Sequence, residues 1–325
     1  MNFRLEMEVK KLPVQVTHRD KIMLIGSCFT DHMSKRFQQY KFNVLENPNG
    51  ILFNPVSITR SVISYIENAK IQENRLVQLN GLWHSWDHHS RFSHEDKDTC
   101  IRQINQNIED AHHFLKEANW LFITVGSAFL YELKPDYSPV ANCHKAPADY
   151  FRKRLLPVEE VLSDFDAMLY RLSHFNPDLN ILFTVSPVRH LRDGFIENNR
   201  SKAVLIQAIH HLVEKFDKLN YFPAYELVID DLRDYRFYAE DMVHPNYQAT
   251  DYVWEKLMEA CLTTETKELI RELQKIITAA NHKPFNPHSV QHKQFLKSFL
   301  EKTAELQNKY PYLDLSREMM AFAGS

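Results

Sequence analysis

Lys21-Ile22-Met23-Leu24-Ile25-Gly26-Ser27-Cys28-Phe29 begins with a short apolar run and stops at a glycine, and the following Thr30-Asp31-His32-Met33-Ser34-Lys35-Arg36-Phe37 has helical spacing. A run without polar alternation predicts a strand covered on both faces, and glycine after it predicts a tight turn into the helix. The chain has only 6 glycines, so the one that ends this strand is informative about backbone geometry.

The same unit recurs downstream. Trp120-Leu121-Phe122-Ile123-Thr124-Val125 ends at Gly126, Asn180-Ile181-Leu182-Phe183-Thr184-Val185 ends at Ser186-Pro187-Val188-Arg189-His190, and Tyr225-Glu226-Leu227-Val228-Ile229 is expected as the next strand. Helical periodicity covers 56–69, with Pro55 suited to a first turn, then 95–117, 158–172 and 198–219, with Asn198 as a candidate cap. Strands alternating with helices of this length predict right-handed crossovers and a three-layer α/β/α doubly wound parallel sheet. Two pieces lie outside the alternation. Arg75 to Trp86 carries Asn80-Gly81 between apolar runs, the signature of an inserted β-hairpin, and Phe129-Leu130-Tyr131-Glu132-Leu133 predicts a second short hairpin. After a mostly helical stretch over 250–277, Pro284-Phe285-Asn286-Pro287 precedes another helix over 291–310. The expected division is an α/β domain over 1–262 and a helical C-terminal extension over 263–325.

Composition narrows the function classes. With 25% charged and 44% hydrophobic residues the chain has the balance of a soluble globular protein. A net charge of -3 and no long Lys/Arg cluster argue against nucleic acid as a partner. Met1-Asn2-Phe3-Arg4-Leu5-Glu6 lacks the apolar core of a signal peptide and no later run reaches membrane-spanning length, so a cytoplasmic protein without a membrane partner is expected. Cysteines 28, 100, 143 and 261 share no CxxC spacing and read as reduced thiols. The pairs His88-His89, His112-His113 and His210-His211 are sequence neighbours whose side chains diverge, so no metal site is expected. Neither GxGxxG nor a P-loop occurs, and no cofactor is expected.

Ligands of open parallel sheets collect beyond the carboxyl ends of the strands. Those ends carry Gly26-Ser27-Cys28, Gly126-Ser127-Ala128, Arg189-His190 and, after the last strand, Asp241-Met242-Val243-His244-Pro245-Asn246. A nucleophile at the first helix N-terminus faces backbone N–H donors, which favour a thiolate or a developing oxyanion. In Asp241-Met242-Val243-His244 the imidazole can act as general base and the carboxylate can orient it. Each residue also has a plainer role. Cys28 suits a buried small hydrophobe, Ser27 a helix cap, and Asp241 and His244 a cap before Pro245. Arg189 and His190 suit an anionic substrate or a salt bridge to nearby acids.

Together these features resemble the SGNH, or GDSL-type, hydrolase superfamily, over roughly 22–258. More narrowly, Ile25-Gly26-Ser27-Cys28-Phe29, Asn47-Pro48-Asn49-Gly50-Ile51-Leu52-Phe53-Asn54-Pro55 and Ala141-Asn142-Cys143-His144-Lys145 are similar to the GSCFA family. The resemblance implies an SGNH-like fold with flavodoxin-like strand order and a hydrolase-like site of Ser27 or Cys28 with Asp241 and His244. The expected activity is hydrolysis or acyl transfer on a small-molecule or carbohydrate O-acyl ester, acetyl esters included. The alternative is a catalytically impaired module that binds a small acylated or carbohydrate ligand. Laid without a gap on Gly-Asp-Ser-Leu, the turn places Cys28 at the nucleophile position, and a helix N-terminus is expected to lower its thiol pKa. Where the superfamily places an oxyanion asparagine, two residues after glycine, this chain has Ala128. Asn142 and the backbone N–H groups of Cys28 and Gly50 are the candidate donors, and Gly126, His144, Arg189 and His190 are the further candidates for substrate contact.

Overall fold

The structure is a computed structural model that describes residues 5–323. Strand β1 (Lys21–Gly26) leads directly into α1 (Cys28–Gln39), and β2 (Asn43–Glu46) returns beside it. Then come α2 (Pro55–Glu67), the hairpin β3 (Leu76–Leu79) and β4 (Leu82–Ser85), α3 (Lys97–Glu117) and β5 (Trp120–Val125). Strands β6 (Phe129–Leu133), β7 (Pro139–Val140) and β8 (Phe151–Leu155) precede α4 (Val158–Phe175), β9 (Asn180–Val185), α5 (Phe195–Lys215) and β10 (Leu219–Tyr221). A short α6 (Ala224–Glu226) leads to α7 (Tyr247–Cys261), α8 (Thr264–Ala280), α9 (Val290–Lys309) and α10 (Ser316–Ala323).

The main sheet is five-stranded and parallel, in the order β10-β9-β5-β1-β2. Numbered along the chain from its β2 edge, that order is 2-1-3-4-5, the flavodoxin-like arrangement. Its switch point falls between β1 and β5, so Gly26 and Gly126 end the two strands that flank the crevice. Successive side chains of a strand point to opposite faces, and β1 divides its residues accordingly. Met23 and Ile25 join Val62 of α2, Phe165 of α4 and Ile209 of α5 in one core. Ile22 and Leu24 join Phe37 of α1, Trp254 of α7 and Leu273 of α8 in the other. Three layers result. Helix α8 thus completes the second core, and a smaller cluster of Ile276, Phe295, Phe299 and Phe322 ties α9 and α10 to it.

Several local expectations are corrected. Residues 225–229 form no strand: α6 passes into a wide helical turn, Leu227–Leu232, and the sheet edge is taken by β10 instead. A short apolar run has no period that separates strand from helix, and Pro223 precedes this one. Helix α5 starts at Phe195 after Gly194 and stops at Lys215, so Asn198 lies one turn inside it rather than at the cap. Residues 129–133 do form a hairpin, with Pro139–Val140, and they also pair with β8, which makes them the central strand of a three-stranded antiparallel sheet, β7-β6-β8. The β3–β4 hairpin keeps its Asn-Gly turn, with φ of 51° at Asn80 and 80° at Gly81.

Candidate active site

Gly26 permits the turn after β1 because its φ is +141° and an added Cβ would stand 2.1 Å from the Thr124 carbonyl oxygen. Ser27, without exposed surface, caps α1 by accepting a hydrogen bond from the Phe29 N–H at 3.3 Å. Cys28 is the first helical residue and is half-buried. Its thiol pKa is raised, against the expectation. Burial is the largest cause and the Asp31 carboxylate adds to it, outweighing the opposing pull of the Cys28 and Phe29 N–H groups and the Lys202 cation. At neutral pH Cys28 is a thiol that needs a base.

Asp241 and His244 lie on the loop before α7. Asp241 Oδ2 accepts from His244 Nδ1 at 2.6 Å, and Oδ1 accepts the backbone N–H groups of Val243 and His244 at 2.9 and 3.0 Å. These bonds, that of the His244 N–H foremost, hold the carboxyl pKa down at about 2. A carboxylate only accepts, so Nδ1 carries the proton and Nε2 of the neutral ring is the basic nitrogen. No hydrogen bond joins His244 to Ser27 or Cys28. Their link runs through neighbours: His244 charge acts on His190 and on His32, one helical turn beyond Cys28, and Val243 and Cys28 pack on the same core.

His190 is held beside this loop, where the Arg189 N–H donates to the Val243 carbonyl at 3.1 Å. Burial first, then the charges of Lys202 and His244, lower the His190 pKa to about 3, so its ring is neutral. Its Nε2 is buried without a partner. A Cβ on Gly126 would meet His190 Nε2 and Ser27 Cβ, each at 3.2 Å. Gly126 therefore supplies the space between the first turn and the imidazole.

From His190 and Val243 a cleft of about 990 Å³ extends to Asn142, His144 and the aromatic residues Tyr131 and Phe151. Its link to the first turn is His190, which faces Ser27 across Gly126; Ser27, Cys28, Asp241 and His244 do not line it. Asn142 Oδ1 accepts the His144 N–H at 2.9 Å. His144 uses both ring nitrogens, with the Ser85 carbonyl at 2.8 Å and Ser90 Oγ at 3.0 Å, and burial lowers its pKa to about 4. The Gly50 N–H is already given to the Asn47 carbonyl at 2.7 Å, which weakens it as a donor, and His144, expected as a substrate contact, has its ring engaged in the cleft wall. The Arg189 guanidinium stacks over Tyr238 at 4.2 Å and makes no salt bridge among the described residues.

Sequence reasoning missed the polar stripe of α5. Asn198 Oδ1 accepts the His190 N–H at 2.9 Å, Ser201 Oγ accepts the Ala128 N–H at 2.7 Å, and Lys202 Nζ donates to the Gly126 and Ser186 carbonyls at 2.7 Å each. One helix thus fixes the ends of β5 and β9. Lys202 is 2% exposed with no carboxylate bound among the described residues, and burial lowers its pKa to about 7. The signal was present: Asn198, Ser201 and Lys202 precede Leu205, Ile209 and Leu212 on the same helical face, where polar side chains enter the core.

Among solved structures, the chain is similar to a carbohydrate esterase family 3 protein from Talaromyces cellulolyticus, with 10% identity over 79% of this chain and 99% of that one, at a TM-score of 0.36. It is similar also to a putative platelet activating factor protein from Streptococcus pneumonia, with 13% identity over 74% of this chain and 83% of that one, at a TM-score of 0.38. An acetyl xylan esterase from Butyrivibrio proteoclasticus matches with 11% identity over 76% of this chain and 64% of that one, also at 0.38. No curated protein matches. The GSCFA family matches residues 21–257, and the C-terminal domain of GSCFA domain proteins matches 273–323. With the first match spanning the sheet, the Cys28 turn and the Asp241–His244 loop, the chain belongs to the GSCFA family.

Proposed function

We propose that this protein hydrolyses or transfers the acyl group of a small-molecule or carbohydrate O-ester, with Cys28 as nucleophile. The observation that carries the reading is the Asp241–His244 pair, 2.6 Å apart, at the same end of the sheet as a half-buried thiol on a helix N-terminus. Cys28 is preferred to Ser27 because Ser27 has no exposed surface and already caps the helix. His244 Nε2 takes the thiol proton as sulfur attacks the ester carbonyl, and Asp241 stabilises the resulting imidazolium. The oxyanion is held by the Cys28 N–H and by the neutral His190 Nε2–H, which takes the place of the absent asparagine. Collapse expels the alcohol with the proton from His244 and leaves a thioester on Cys28, which water or a second hydroxyl group resolves. The cleft beside His190 has the size of a site for a small ligand such as an acylated sugar.

The test measures turnover of an activated acetyl ester by the wild type, Cys28→Ala, Ser27→Ala and His244→Ala. Activity is expected to disappear in the first and third variants and to persist in Ser27→Ala. Equal rates in all four proteins would sink the proposal.

A second reading, ligand binding without turnover, is favoured by the raised thiol pKa and by the absence of a hydrogen bond from His244 to Cys28. It predicts thermal stabilisation by an acylated sugar with no release of acyl group.

A further inference from the structure

A second, smaller cavity of about 450 Å³ lies between α2 and the segments 69–75 and 87–88 that flank the β3–β4 hairpin, apart from the Cys28 turn. Helix α2 turns Ser57 and Ser61 towards it, four residues apart on one face. Arg60 stands beside them on α2, and Arg75, Asp87 and His88 come from the segments that flank the β3–β4 hairpin.

Two of these side chains carry buried polar atoms with nothing to bond. Ser57, 4% exposed, has an unpartnered Oγ, and His88, 3% exposed, has an unpartnered Nε2. Ser85 Oγ accepts the Asp87 N–H at 3.3 Å and lies 2.8 Å from His88 Nδ1; in the tautomer in which the hydroxyl donates to Nδ1, Nε2 bears the hydrogen that an anion can accept. Burial lowers the His88 pKa to about 4, which keeps the ring neutral. A buried polar nitrogen without a partner is costly and rare in folded proteins.

The lining of the cavity is predominantly basic. Asp87 is shared by two guanidinium groups at long range, 3.5 Å from Arg60 and 3.4 Å from Arg75. Good charge-assisted contacts are about 2.7–2.9 Å, so neither fork is fully engaged. Of the side chains that line the cavity Arg60, Lys70 and Arg75 are basic and Asp87 is acidic; Lys70 is already paired with Glu109 at 2.9 Å, and Asp164 and Asp136 act on Arg60 and Arg75 from outside the cavity. Hydroxyl groups, a neutral imidazole able to present an N–H and two forked cations call for a compact anion rich in acceptor oxygens.

We propose that this cavity is a binding site for a phosphate-class oxyanion, either inorganic phosphate or the phosphoryl group of a phosphorylated sugar. The site is independent of the hydrolysis proposed above and stands whether or not Cys28 is catalytic.

Thermal unfolding of the full chain in inorganic phosphate is compared with chloride at matched ionic strength, for the wild type and an Arg60→Met/Arg75→Met double variant. At ten times the dissociation constant, phosphate is expected to raise the wild-type Tm by roughly 2 °C and to leave the variant unmoved. Equal Tm values for the wild type in phosphate and chloride overturn the proposal. So does a phosphate shift of undiminished size in the variant. Should the double variant fail to fold, Arg75→Met alone, a change at a side chain 56% exposed, carries the same comparison. A third arm uses a hexose 6-phosphate: a shift larger than that of inorganic phosphate assigns a phosphorylated sugar, and an equal one assigns free phosphate.

Discussion

Ser27 and Gly126 sit at strand ends locked from several sides, whereas Asp241 and His244 are 49% and 42% exposed on a loop that holds itself together. The strand-end half is braced by the sheet, by the α1 cap and by three polar residues of α5. The loop half has a left-handed Met242, with φ of 57°, and an aspartate that accepts two backbone N–H groups besides the imidazole. Strand ends inherit their positions from the core. A loop must encode its own geometry, and Asp241 does so while also providing the charge beside His244. Substitutions in the two halves are therefore expected to fail differently.

The largest effect is expected at the rigid half. Cys28→Ala removes the nucleophile and should lower ester turnover by about 10⁴-fold or more while leaving the fold intact. Ser27→Ala should cost about 1 kcal/mol of stability through the lost cap and less than tenfold in rate. A reversal of these two rates would move the nucleophile into the buried position and break the contrast.

At the loop, Asp241 performs two tasks that two variants separate. Asn keeps an oxygen for the Val243 and His244 N–H groups but has no charge, whereas Ala has neither. Asp241→Asn should lower kcat by about 10²- to 10⁴-fold with Tm and KM close to those of the wild type. Asp241→Ala should in addition lower Tm and raise KM as the loop loses its anchor. If the Asn variant keeps wild-type kcat, the aspartate only builds the loop. Because the Asp241 carboxyl pKa lies near 2, it stays ionised from pH 4 upward and contributes no change of charge in that range.

His190 joins the halves, with its own N–H tied to α5, the N–H of its neighbour Arg189 tied to the 243 loop, and its ring against Gly126. His190→Ala is expected to lower kcat by about 10²-fold, the usual cost of one oxyanion donor. His190→Gln, which can present an amide N–H, should recover part of it. A kcat unchanged in both variants, with KM raised, would make the imidazole a substrate contact only.

How much of this was legible depended on the same contrast. The strands β1, β5 and β9 were readable because a strand covered on both faces must be an apolar run, and Gly26 and Gly126 punctuate two of them. The Asp241–His244 pair was readable because three residues suffice to bring its groups together. Edge strand β10 escaped: it has three residues and is too short for a pattern. The raised pKa of Cys28 escaped as well, since the helix terminus is visible in sequence but the burial and the nearby Asp31 carboxylate are not. Lys202 escaped because a lysine in a helix carries no sign of burial by itself, and its helical face has to be traced through Leu205 and Ile209 to show it.

That lysine gives the smallest effect, one spread over pH rather than concentrated in one rate. It is buried without a carboxylate, and its pKa falls to about 7 in the folded protein from 10.5. Between those values the unfolded chain binds a proton that the folded chain does not, so stability rises with pH by at most about 1.4 kcal/mol per unit. Below pH 7 both states carry the proton and this dependence ends. In Lys202→Met the slope should vanish, and the Gly126 and Ser186 carbonyls lose their donor. Denaturant unfolding of both proteins at pH 7, 8 and 9 compares the slopes, with other titrating groups common to the two. Parallel lines would mean that Lys202 stays charged across this range, and the rigid half would then contain a permanent cation beside Cys28 and His190. Converging or crossing lines, with the wild type gaining on the variant as pH rises, would place a neutral amine there at mildly alkaline pH. The strand-end half would then depend on pH for its rigidity, while Asp241 holds the loop unchanged.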